Sequence, residues 1–165
     1  MRKSYKTHML FSEPFMRGFR RCFALLLSFA AAAPPALAQS PPPAGRIKVA
    51  SGSAFIVRKE QSIPAQVGQL VFEGDRLRTG ADGRIGATLS DETRVSLGPD
   101  SEIRLDQFQY SLAEGRLGLV LGIVRGMVAY VSGRIAKLSP DSIRLETPNA
   151  IVGIRGTRMA IKETP

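Results

Sequence analysis

Three segments of this chain alternate apolar and polar residues, RIGATL, TRVSL and EIRLD, and each carries an outward-pointing arginine: Arg84, Arg94 and Arg104. Guanidinium groups are rigid forks that match carboxylates and phosphates. A shared face would therefore recognise anions; the plainer role is a solvated outer surface that blunts edge pairing. The carboxylates show no comparable grouping. Asp75, Asp91, Asp100 and Asp141 all sit among turn residues, where aspartate ordinarily caps nearby backbone, and none pairs with another at glycosidase spacing. The single histidine, His8, and the single cysteine, Cys22, both lie within the first 38 residues, and there is no tryptophan.

Those first residues have the pattern of an export signal. Arg2, Lys3, Lys6, Arg17, Arg20 and Arg21 form a basic stretch, Cys22–Ala33 is apolar, and Ala36-Leu37-Ala38 is a small-residue cleavage site. The apolar run is shorter than the roughly 20 residues a helical span needs, and Pro34 and Pro35 follow it. Residues 1–38 are expected to be a helical signal peptide removed after Ala38, leaving no stable membrane span. The 165 residues then become 127, and six of 23 basic and one of 14 acidic side chains go with the leader, so the net charge of +9 falls to +4. The remainder has no His or Cys, which excludes Ser–His–Asp and Cys–His catalysis, thiolate or imidazole metal sites, and disulfides. The expected protein is not an enzyme and takes no cofactor. Export also removes nucleic acid as a partner.

Residues 39–45 are a Pro-rich tether, and 46–162 form one domain of short strands. Strands are expected at Arg46–Ala50, Ser53–Arg58, Gly68–Phe72, Arg76–Thr79, Arg84–Leu89, Thr93–Leu97 and Glu102–Asp106. Tight turns between the last three suggest a meander. Asp106–Gly115 reads as a loop. Arg116–Val131 has glycines every fourth residue, but its Val and Ile content and Arg125 favour two strands, Leu117–Val124 and Met127–Val131, over a helix. Ile135–Leu138 is expected to pair briefly, and Ile143–Glu146, Ala150–Ile154 and Arg158–Ile161 close the domain. The fold class is all-β: two packed antiparallel sheets, sandwich or jelly-roll-like, with a short β-solenoid as the alternative.

Several phrases occur in a recognisable order: Gly52 with Phe55–Val57, Gly74-Asp75-Arg76-Leu77-Arg78-Thr79-Gly80, Asp91 to Ser101, Gly126 to Gly133, and Ile154 to Ile161 within TPNAIVGIRGT. Together they resemble the FecR domain, found in regulators that relay cell-surface signals in bacteria. Glu92 stands where that pattern usually has glycine, which puts the type of that turn in question. The resemblance implies a free-standing exported domain, periplasmic or alternatively secreted or at the cell surface. It would bind an envelope protein by strand addition, or, through the arginines, peptidoglycan or another anionic polymer. Some FecR-type regulators are cut at a Gly-Thr bond. Here Thr157 would attack the Gly156 carbonyl under backbone strain, but with no positioned base identifiable a turn glycine followed by a packed threonine is the favoured reading of the pair.

Overall fold

The computed structural model describes residues 41–153 and 158–163. The leader and the Gly156-Thr157 bond lie outside the described residues. Among those described, the domain is all-β. Twelve strands run in order: β1 (Gly45–Ser51), β2 (Ala54–Arg58), β3 (Gln61–Pro64), β4 (Leu70–Val71), β5 (Arg76–Thr79), β6 (Arg84–Leu89), β7 (Arg94–Leu97), β8 (Glu102–Ser111), β9 (Arg116–Val131), β10 (Ile143–Thr147), β11 (Ala150–Gly153) and β12 (Arg158–Glu163).

The expected pair of separate sheets is replaced by one hydrogen-bonded network, β3-β2-β5-β8-β9-β7-β6-β1-β4, with β10, β11 and β12 branching from it. The long strand β9 belongs to both of its halves. Arg116–Arg125 pairs with β8, whereas Val128–Val131 pairs with β7 and Gly126–Val131 with β12. The change of partner falls at Gly126, whose φ is +88°. A Cβ there would sit 2.3 Å from Ser101 Oγ and 2.5 Å from Ser101 Cα, so glycine is required both by conformation and by space. Leu117–Val124 and Met127–Val131 are thus one strand bent at a glycine. All pairings are antiparallel except β10 with β9, which is parallel; this is not the repeated parallel stacking of a solenoid.

Both halves curl their inner faces onto one core. Ile85, Ala87 and Leu89 of β6, Val95 and Leu97 of β7, and Ile103 and Leu105 of β8 are all buried, as their period-2 alternation predicts. Ala44, in the tether by sequence, is also in this core, and its N–H donates to the Val71 carbonyl.

Three local expectations are corrected. β8 continues to Ser111, because a bulge after Leu105 leaves Asp106 unpaired and shifts the alternation by one position. Phe108 and Tyr110 then pack against the core in the new phase. β7 does not continue the meander into β8: β8 pairs with β5 and β9, so the turn between them crosses from one half to the other. Finally, Ile135–Leu138 is a short helix, α1, rather than a strand. Asp91 turns the chain there, accepting the Arg134 N–H on its carbonyl and the Ile135 N–H on its carboxylate.

Candidate interaction surface

The turn aspartates and hydroxyls are occupied with holding the network together. Asp75 is buried; its carboxylate accepts two hydrogen bonds from Arg58, both at 2.7 Å, and one from the Phe72 N–H at 2.8 Å. That hydrogen bonding drives the Arg58 guanidinium further above its ordinary pKa. The same guanidinium stacks 4.5 Å from the Phe72 ring centre. Asp91 accepts from the Thr93 N–H and hydroxyl, and the Thr93 hydroxyl accepts from the Gly133 N–H. Thr79 donates its hydroxyl to Gly98 and accepts from the Ser101 N–H, while Ser101 Oγ accepts from the Met127 N–H beside the β9 bend. Each of these side chains spends its hydrogen bonds on backbone or on a neighbouring side chain, as a structural clamp does.

Glu92 adopts φ +72°. The turn does therefore take the left-handed conformation that favours glycine, and Glu92 bears the strain while pairing with Arg134 at 2.7 Å. Asp100 is also left-handed, at φ +50°. Asp141 lies in a single 3-10 turn, Pro140–Ser142.

Residues 75–165, more than half of the chain, match the family described as FecR protein. The chain belongs to the FecR family. No curated protein and no solved structure matches it. The matched span of this FecR chain starts at Asp75, after the opening phrase at Gly52 and Phe55–Val57. It contains the Asp75, Thr79, Asp91 and Ser101 clamps and the glycine that bends β9.

The three arginines singled out by alternation do not share a face. Arg104 stands opposite Arg76 on the half built from β2, β3, β5, β8, β10 and β11. There, three arginines are matched by acids: Arg104 with Asp106 at 3.3 Å, Arg76 with Glu60 at 2.8 Å, and Arg125 with Glu102 at 3.8 Å. Arg84 and Arg94 stand on the other half, at opposite ends of the β6–β7 pair.

That other outer face is organised in register rows running across the strands. The middle row is Val49–Gly86–Ser96–Ala129–Ala160. On one side runs Arg46–Thr88–Arg94–Val131–Arg158. On the other, Arg84 lies opposite Ser51, and Met127 opposite Lys162. Small residues in the middle and long ones at the sides leave a groove of about 440 Å³, lined by Val49, Gly86, Ser96, Ala129, Met127 and Arg84, among others. Val49 and Met127 are over half exposed. No acidic residue stands in these rows, and Arg46, Arg84, Arg94, Arg158 and Lys162 make no ion pair among the described residues. Sequence reasoning found Arg84 and Arg94 but missed Arg46, Arg158 and Lys162. They belong to strands remote in sequence, and only the register brings them together.

Proposed function

We propose that this FecR-family chain is an exported, non-catalytic interaction module of the bacterial envelope, similar to the sensor part of FecR-type signalling regulators, and that it binds a protein partner. The supporting observation is β12. It lies within the family-matched span and pairs only with β9 among the described residues, so no described strand covers its second edge. An open edge offers a row of main-chain donors and acceptors to an added strand, with alternate side chains setting specificity. Export rests on the leader pattern, and a periplasmic site follows from it more directly than full secretion.

A photo-crosslinking side chain at Ala160, on the outward face of β12, is expected to give one discrete adduct with a second envelope protein in cells. The same group at Ala113, in the exposed turn between β8 and β9, is expected to give none. Absence of an adduct from Ala160 overturns this reading.

A second reading, binding of peptidoglycan or another anionic envelope polymer, keeps Arg84 and Arg94, which face solvent without acidic neighbours in their rows. It gives up Arg104, which Asp106 already engages.

A further inference from the structure

We propose that the basic outer face formed by β1, β6, β7, the end of β9 and β12 is a docking surface for an extended acidic polypeptide segment of the partner. The proposal rests on the protein-binding reading and gives that partner its chemistry. Charge complementarity is the first argument. Arg46, Arg94 and Arg158 stand in the row on one side of the middle row and Arg84 and Lys162 in the row on the other, Arg84 lining the groove itself, and none of these three rows holds a carboxylate. On the opposite half, Arg76, Arg125 and Arg104 are engaged by Glu60, Glu102 and Asp106, while Arg78 and Arg144 make no ion pair among the described residues. On the groove face the five unpaired cations stand in the two rows that flank one middle row, where their fields add up and draw in an anionic partner.

Shape selects among anions. The groove crosses five strands, about 19 Å at the usual inter-strand spacing, and its flanking rows are four residues apart along each strand, about 13 Å. One extended chain of about six residues fits between such walls. A flat layer of lipid headgroups would touch only the tips of the basic side chains and leave the floor uncovered. The floor is small, Gly86, Ser96 and Ala129, with Ala160 continuing the row, so it accepts short side chains lying between flanking carboxylates. No aromatic residue stands in these rows to stack on a sugar ring, which separates this surface from a neutral glycan site.

The test uses isotope-labelled protein lacking residues 1–38, its exported form. It is titrated with a twelve-residue peptide of alternating Glu and Ala, with the Gln–Ala peptide as control. The Glu–Ala peptide is expected to shift the methyl signals of Val49, Met127, Ala129 and Ala160, at least about tenfold more tightly than the control. Raising the salt toward 0.5 M should weaken it severalfold. Arg94→Gln with Arg158→Gln should cost about tenfold, whereas Arg76→Gln with Arg144→Gln on the opposite half should cost nothing. Ala129→Trp fills the groove and keeps every charge, so unchanged affinity in that variant means diffuse attraction only and overturns the docking site. Equal binding of the two peptides, or shifts confined to the other half, also overturns it. So does tighter, groove-dependent binding to phosphatidylglycerol vesicles or to purified peptidoglycan, which would assign the surface to those polymers instead. An Ala160 crosslink that persists while no acidic peptide seats here would sink the groove and leave the protein-binding reading standing. Peptide binding without that crosslink would do the reverse.

Discussion

At the residue scale, the question is whether an acid in a family motif works for function or for the fold. Asp75 answers it by geometry. Three hydrogen bonds converge on its carboxylate from Arg58 and Phe72, and the group is only 1% exposed. Removing it strands a half-buried guanidinium and an unpaired N–H, each of which costs more than the net worth of the bond it loses. Asp75→Ala is expected to lower stability by about 3 kcal/mol in a urea unfolding experiment. It should leave crosslinking through Ala160 intact under conditions where the variant is folded. A variant of unchanged stability that loses the adduct would show instead that Asp75 belongs to the binding surface. Glu92 makes the complementary point. Its departure from glycine was visible in the sequence, and so was the cost, but its ion pair with Arg134, which lies 42 residues away, was not.

At the element scale, β9 determines the architecture. A strand of 16 residues that served only one sheet would need partners along one plane. By bending at Gly126, it hands its last residues to β7 and β12 and closes the curl over a common core. Gly126→Ala forces a side chain into a left-handed conformation and onto Ser101, and is expected to cost about 3 kcal/mol or more by thermal or urea unfolding. Gly115→Ala is the control: its φ of +64° is also left-handed, but no atom lies within 4 Å of the position of the new Cβ, so only the conformational penalty of about 1 kcal/mol applies. Equal losses at the two sites would show that the crowding around Ser101 is unimportant. The individual strands β6 and β7 and the first part of β8 were legible because their alternation is local and uninterrupted. The second part of β8 was not, since one bulged residue reverses the phase, and periodicity carries no memory across it. Nor was α1, whose first N–H groups are held by Asp91, 44 residues upstream of Ile135. The basic face was legible in two of its five cations, because a register between distant strands is not written in any one segment.

At the scale of the whole molecule, the inventory of titratable groups governs how the fold responds to pH. With residues 1–38 removed, no histidine or cysteine remains, so no side chain with an ordinary pKa changes charge between about pH 5.5 and 8. Asp82 titrates below its usual range, held ionised by its hydrogen bonding with Ser53, but it is fully exposed, and a depressed carboxylate contributes stability only above its unfolded value, losing it as pH falls. The acid limb should therefore begin below about pH 4.5. Tyr130 sets an alkaline limb of opposite sign. Burial pushes its phenol up, against the opposing effect of Thr93 and Ser132. The unfolded chain then releases this proton first, so the contribution is complete below about pH 10 and is lost as pH rises through the folded value. The melting temperature is expected to be flat from pH 5.5 to 8.5 and to fall beyond pH 10. Tyr130→Phe, which keeps the buried ring and removes the ionisable group, should fall less steeply there than the native chain. Parallel alkaline limbs in the two proteins would mean that Tyr130 is not held neutral by the fold. The core at the junction of β7, β9 and α1 would then be open to water, contrary to the packing that joins the two halves.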